Sequence, residues 1–414
     1  MSQVKSGNDI RVVRSLRERD FGSRSEPPTL DPKRGLESPP WVWPRAAYVH
    51  VPFCAHHCGY CDFAVVAGQD HLMDRYLEAL AAELATLGQP QFVHSIFIGG
   101  GTPTYLDCRR LERLLAEIRR WFIPSADLEF SIEANPGSLD RAKVEVLAEY
   151  GVTRVSLGSQ SFHPHVLGVL ERDHRPEDVP RAVEAVKARI AQVSLDLIFG
   201  VPGQSLADWR QDVEQALSFQ PDHLSTYGLT YEKGTRLWKQ RQRGEVHPLD
   251  EETELAMYLH AMDALESAGF EHYEISNHAR PGKRCRHNQV YWANEAYFGF
   301  GLGAARYIEG RRELNTRSIQ EYIRKMLAGE PATYQSEVLE PEERARETLA
   351  LQLRQSKGID RRAFRIQTDF DLDELAGPAI TRQVELGLME NDGVHVRLTR
   401  KGKCVADAVI CELL

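Results

Sequence analysis

A partial (β/α)6 barrel followed by a smaller α+β domain of winged-helix type is the fold this sequence predicts. Three observations carry that expectation. Six short runs rich in β-branched and aromatic residues alternate with longer segments of helical period. The rhythm fades after one more helix near 251–268, and from about residue 341 the pattern becomes helices followed by a short hairpin. Strands joined by helical crossovers lie parallel in one sheet covered by helices. A closed eight-unit barrel would need two further units.

Taken in order, residues 1–44 are polar, rich in Ser, Pro and charge, and read as a disordered tail outside the fold. Strands are expected at 46–51 (AAYVHV), 95–100 (SIFIGG), 128–133 (LEFSIE), 154–159 (RVSLGS), 193–200 (VSLDLIFG) and 224–229 (LSTYGL). Helices over 74–88, 110–122, 140–151, 177–191 and 206–219 repeat apolar residues at i, i+3, i+4 and i+7. The barrel is assigned to 45–285 and a second region to 286–414. In that region 342–359 and 373–389 read as helices, and 394–403 as the hairpin.

The composition narrows the function. A chain of 414 residues, 42% hydrophobic and 27% charged, can bury a large core. A formal charge of -9 argues against a general nucleic-acid binder, and the winged-helix-like end mixes its charges instead of showing a basic stripe. Packing or partner docking is the simpler use of that module. There is no apolar run of membrane-spanning length and no apolar core in the first residues to make a secretory signal. Seven cysteines, an odd count without an export signal, suit reduced thiols in a cytoplasm.

Three of those cysteines stand together in CAHHCGYCDF: Cys54, Cys58 and Cys61, spaced C-x3-C-x2-C after the first strand. Structural zinc sites pair two C-x2-4-C units, and Cys108, Cys285, Cys404 and Cys411 are scattered. The spacing also departs from the ferredoxin run. Three thiolates on a [4Fe–4S] cube leave one iron open to a substrate group. Other unusual residues fall at strand ends as well, where barrels of this kind place their chemistry: Gly99 to Thr102, Glu133 and Gln160, with Asp196 inside the fifth strand. Each of them has a bland reading too, such as a tight turn or a buried carboxyl satisfied by backbone.

At this point the sequence resembles the radical S-adenosylmethionine (SAM) proteins, whose signature is the C-x3-C-x2-C loop after the first barrel strand. The resemblance implies that Cys54, Cys58 and Cys61 hold a [4Fe–4S] cluster and that the amine and carboxylate of SAM chelate the fourth iron. An electron from the cluster can then cleave SAM to a 5′-deoxyadenosyl radical. It further implies that Tyr60 lies against adenine, that Gly99, Gly100, Gly101 and Thr102 meet the SAM amino group, and that Glu133 meets its polar groups. Tyr48, Gln160, Arg172, Asp196 and Thr230 occupy the places of SAM-contacting residues in the coproporphyrinogen oxidase branch.

From residue 45 onward YVHVPFC, GGGTPT, SIEANP, DLIFGVPGQ, YEISNHARPG, HNQVYW and GFGLGAA are similar to the group that holds anaerobic coproporphyrinogen III oxidase and the HemW-type heme chaperones. The oxidase motif continues to a fourth cysteine, where this chain has Phe63; HemW-type proteins read CDF, as here. HNQVYW matches their HNxxYW motif, which implies His287 as an axial ligand to heme iron and Tyr291 and Trp292 as flat surfaces for the macrocycle. Cys285 and His278 are alternative ligands of lower rank, and His56 and His57 read as solvated loop residues. The resemblance thus implies a chaperone without coproporphyrinogen oxidase activity. Heme is its cargo, a hemoprotein (such as a respiratory one) its acceptor, and an electron donor its further partner. A homodimer and a peripheral contact with the membrane surface are compatible with it; a porphyrin-directed radical oxidoreductase is the alternative.

Overall fold

The structure is a computed structural model and describes residues 37–414. Most of the expected tail, residues 1–36, lies outside the described residues. A nine-stranded sheet forms the centre. Its first six strands are β1 (Ala46–Val51), β2 (Gln91–Gly100), β3 (Phe122–Ala134), β4 (Arg154–Gln160), β5 (Gln192–Phe199) and β6 (His223–Gly228), parallel and in sequence order. Beyond β6 come β8 (Asn277–Ala279) and then β7 (Glu271–His272), both antiparallel pairings; on the other edge β9 (Phe298–Phe300) lies parallel to β1. The sheet is therefore open, as a six-strand partial barrel requires.

The crossover helices are α1 (Met73–Ala85), α2 (Cys108–Trp121), α3 (Arg141–Glu149), α4 (Asp178–Lys187) and α5 (Leu206–Ser218), followed by α6 (Glu251–Ser267). Several begin where a side chain can take an orphan N–H. Asp107, Asp140 and Asp250 cap α2, α3 and α6, and Ser205 with Asp208 forms a capping box on α5. Their apolar stripes, including Leu80, Leu84, Leu114, Ile118, Leu147, Val183, Trp209 and Val213, bury against one face of the sheet. On that face the strands present Val155, Leu157, Val193, Leu195 and Leu197. The alternate residues turn the other way and are polar: Ser156, Ser194, Asp196, His223 and Ser225. A cavity of about 290 Å³ touches side chains from all six strands, so the sheet curves around it.

The packing of the barrel continues past both expected boundaries. The chain joins the fold before residue 45: Trp43 is buried edge-on against Phe298, and the Pro40 and Val42 carbonyls accept from Ala296 and Glu309. Nor does the barrel end at 285. The free edge of β1 recruits β9, and the helix α7 (Arg286–Trp292) closes the cavity from the side of the strands' N-terminal ends.

A three-stranded antiparallel sheet of β10 (Ala305–Ile308), β11 (Arg311–Asn315) and β12 (Thr333–Val338), with α8 (Ile319–Leu327), follows β9. The smaller C-terminal domain comprises α9 (Pro341–Gln352), β13 (Ile359–Asp360), α10 (Arg361–Thr368), α11 (Leu372–Glu385) and the hairpin β14 (Met389–Asn391) and β15 (His395–Leu398). It has its own core around Leu349, Phe364, Ile380, Val396 and Leu398. Among the described residues, no helix is long and apolar enough to cross a membrane.

Candidate cofactor site

The cysteine loop is an excursion anchored at its base. Phe53–Cys54 pairs in parallel with Val66–Ala67, the Gly59 N–H donates to the Leu170 carbonyl, and the Gly59 carbonyl accepts from Leu237. Cys54, Cys58 and Cys61 are free and half-buried. Arg172 Nη1 donates to Cys58 Sγ at 3.4 Å and Thr102 Oγ1 to Cys54 Sγ at 3.6 Å. Burial pushes the Cys54 thiol up to about 12 and the Cys61 thiol up to about 11. Such thiols stay protonated at neutral pH unless a positive charge faces them, which iron supplies. N–H and O–H donors to sulfur are the outer layer that iron–sulfur clusters use. Among the described residues no three His, Cys, Asp or Glu side chains are arranged for a single metal ion. The three thiols and the donors that face them fit a cluster.

The glycine run has an immediate structural cause. A Cβ on Gly101 would stand 2.7 Å from the Pro52 backbone, and one on Gly100 (φ +111°) would stand 2.4 Å from the His50 ring. Gly101 and Thr102 donate backbone bonds to Val51 and Phe53, which closes the end of β2 onto the root of the cysteine loop. A Cβ on Gly99 would meet Glu133 Oε2 at 2.8 Å, and Glu133 Oε2 accepts the Gly100 N–H at 2.9 Å.

Farther along the strand ends, Gln160 adopts a left-handed backbone (φ 60°), uncommon for a non-glycine residue, at the point where β4 stops. Arg172 Nη2 donates to the Gly158 carbonyl at 2.8 Å. Asp196 accepts from Ser156 Oγ at 2.9 Å and Ser225 Oγ at 2.7 Å, and burial raises its carboxyl. Tyr48 shares a 3.0 Å hydrogen bond with His50 Nδ1 and stacks on Phe97. Tyr60 packs on Val166, Leu170, Ile198 and Val201. Gln160 Oε1 and Arg172 Nε are buried without partners. Tyr48, Gly100, Glu133 and Asp196 share the cavity; Tyr60, Gln160 and Arg172 do not line it, nor does Thr230, half-buried past β6. The set suits the polar groups of SAM.

Glu133 has a measurable signature. Burial pushes its carboxyl up to about 7, from an ordinary 4.5. Between those values the folded chain keeps a proton that the unfolded chain releases. The associated stability is therefore complete below about 4.5 and lost as pH rises through about 7. At 1.36 kcal/mol per pH unit the change is on the order of 3 kcal/mol. Urea midpoints of the cofactor-free protein between pH 5 and 8 should fall with pH, and Glu133→Gln should lose that component of the slope. Parallel curves for parent and variant would contradict the assignment.

The heme triad is not brought together. His287 is 1% exposed; its Nδ1 shares a hydrogen bond with Ser95 Oγ at 3.1 Å, its Nε2 with Tyr291 OH at 2.9 Å, and its ring stacks on Phe97. Burial lowers its pKa to about 3. His287 and Tyr291 line the floor of the cavity, whereas Trp292 lies under the Arg354 guanidinium of the C-terminal domain. A helix presents i and i+4 on one face and turns i+5 away, so Trp292 leaves the face that His287 and Tyr291 share. Cys285 also lines the floor and donates to Glu129 Oε1 at 3.5 Å. His278 is buried on β8, stacked on His272 at 4.1 Å, outside the cavity lining. His56 lies 3.7 Å from Glu171, and His57 Nε2 shares a hydrogen bond with the Cys61 carbonyl.

Sequence reasoning missed the groups that hold this floor. Glu129 of β3 accepts the Arg286 N–H at 3.0 Å and the His287 N–H at 3.1 Å, and so caps α7; Arg154 Nη2, at 3.3 Å from Glu129, also donates to the Lys283 carbonyl. It missed His50 too, whose Nε2 shares a 2.8 Å hydrogen bond with the Ala64 carbonyl at the end of the cysteine loop. One signal was available: Ser and Asp alternating with Val and Leu in RVSLGS and VSLDLIFG mark strands whose second face is buried but polar.

A model described as the radical SAM superfamily matches residues 48–216, and one described as the HemN C-terminal domain matches 339–405. These matches define the class: a radical SAM core carrying a HemN-type C-terminal domain. Heme chaperone HemW of Bacillus subtilis (strain 168) is 39% identical over 372 residues, covering 88% of this chain and 98% of its own length. Radical S-adenosyl methionine domain-containing protein 1, mitochondrial, of Bos taurus is 32% identical over 93% of this chain and 90% of its own. The chain belongs to the HemW family. Its fold is also that of coproporphyrinogen III oxidase (HemN) from Escherichia coli, at a TM-score of 0.79 with 22% identity and 90% of each chain covered.

Proposed function

We propose that this chain is a heme chaperone. It binds heme and hands it to an acceptor hemoprotein, with a [4Fe–4S] cluster on Cys54, Cys58 and Cys61 and an exchangeable SAM on Glu133, Gln160, Arg172 and Asp196. The cluster, when bound, supplies one-electron chemistry, so an electron donor is a further implied partner. The observation that carries the reading is the residue after Cys61 and Asp62. Where the oxidase motif places a fourth cysteine, this chain presents Phe63, 65% exposed at the cavity. Its bacterial relatives, which carry the name heme chaperone HemW, support the same reading.

A second reading, a radical oxidoreductase acting on a porphyrinogen, draws on the assembled SAM residues around the cavity. Anaerobic reconstitution separates the two. The chaperone should take up heme with a Soret band, pass it to an apo-hemoprotein, and leave coproporphyrinogen III unconsumed in the presence of SAM and a reductant. Sustained decarboxylation would remove the chaperone reading in favour of the oxidoreductase.

A further inference from the structure

We infer that heme docks at the open end of the cavity, on the exposed faces of Phe63 and Tyr227, and not on His287 at its closed floor. This rests on the heme-chaperone reading and gives it a location. The floor is ill suited to a macrocycle. His287 has both ring nitrogens engaged and almost no exposed surface, and α7 is pinned from below by Glu129. On its other flank, Gln367 Nε2 donates to the Ala293 carbonyl and Asn294 Nδ2 to Thr348 Oγ1, which ties the end of α7 to the C-terminal domain. Iron ligation through either ring nitrogen would break one of these buried hydrogen bonds and bring a macrocycle against a clamped helix. Space argues the same way. The cavity of about 290 Å³ is at the small end of ligand pockets, which run roughly 300–1,000 Å³. Its walls already include Gly100, Glu133 and Asp196, the residues that suit SAM.

The open end has the complementary properties. Tyr227 is next to last in β6 and Phe63 follows the cysteine loop, so both stand at the C-terminal ends of the strands. Both line the cavity, yet Phe63 is 65% and Tyr227 41% exposed. Two large aromatic faces left in solvent at one rim are a natural seat for a flat conjugated ring. Heme also carries two carboxylates. Arg317, its side chain 54% exposed, donates to the Asp62 carbonyl and lies 3.6 Å from the Asp62 carboxylate, which puts a guanidinium beside Phe63.

The test is hemin titration, by Soret absorbance, of the full chain with its cluster reconstituted. Phe63→Ser should weaken heme binding about tenfold or more, as loss of a central aromatic contact does. Phe63→Trp should restore it, and Arg317→Gln should cost a smaller factor. Tyr291→Phe, which removes the hydroxyl bonded to His287 Nε2 without emptying the core, should leave affinity and band position unchanged. Parent-like binding by Phe63→Ser, or a shifted Soret band in Tyr291→Phe, would overturn the location while leaving the chaperone reading intact. Failure of the parent to take up heme would remove the chaperone reading itself.

Discussion

Cys58→Ser is expected to reconstitute with almost no cluster iron, against about four irons per chain for the parent, while Cys108→Ser should match the parent. The contrast comes from the surroundings of the sulfurs. Cys58 Sγ faces the Arg172 guanidinium on a loop tied to Leu170 and Leu237, whereas Cys108 opens α2. Burial holds the remaining thiols Cys54 and Cys61 far above neutrality, so two sulfurs without iron revert to protonated thiols and cannot retain a cube by themselves. Iron and sulfide analysis together with the visible charge-transfer absorption would decide the matter. A Cys58→Ser protein that keeps the parent's iron and spectrum would remove the three-cysteine assignment, and an iron-poor Cys108→Ser would place a ligand outside the loop.

The shared loop of the three thiols was legible because C-x3-C-x2-C is a local pattern, and local patterns survive in sequence. The barrel was legible for the same reason: β1 spans Ala46–Val51 as expected, and α5, Leu206–Ser218, falls within one residue of its helical period. Where the reading fell short, distant parts of the chain decide the structure. β2 and β3 begin earlier than their apolar runs because Gln91, Phe92 and Val93 pair with Phe122, Ile123 and Pro124, a register that Pro124 and Ser125 disguise. β9 is three residues long and needs the free edge of β1 to exist; in sequence it is only a Gly-rich motif. The expected heme triad divides on angular position. His287, Tyr291 and Trp292 are neighbours in a motif, but α7 is clamped between Glu129 below and the C-terminal domain beside it, which sends Trp292 to Arg354 and His287 into the floor. Phe63 is the converse case. As a letter it separated two branches of one family, and in space it is an exposed aromatic at the cavity.

The largest loss of stability is expected from Glu83→Ala, a substitution well away from any cofactor. Glu83 of α1 is 3% exposed and accepts the Gly301 N–H at 2.7 Å, Asn315 Nδ2 at 2.6 Å and Tyr322 OH at 2.6 Å. These donors belong to the end of β9, to β11 and to α8, so one carboxyl binds three later elements to the first crossover helix. Burial raises its pKa, and the three donors oppose that rise. Removing it strands three buried donors at about 1–3 kcal/mol each, so the expected cost is on the order of 4 kcal/mol or more. Glu83→Gln keeps one acceptor oxygen and should cost less. The damage should also reach the cofactor site. Gly301 (φ +102°) lies so close to β1 that a Cβ on it would meet the His50 carbonyl at 2.6 Å, and that same carbonyl accepts from Tyr76. Loosening Gly301 frees the edge of β1 that delivers Tyr48, His50 and the cysteine loop. Denaturant unfolding of the apoprotein should therefore rank parent, Glu83→Gln and Glu83→Ala in falling stability. The reconstituted Glu83→Ala protein should lose its cluster faster to a chelator than the parent does. An Ala variant within 1 kcal/mol of the parent would show that water or a rearranged Asn315 satisfies those donors and that β9 is held by its apolar contacts alone.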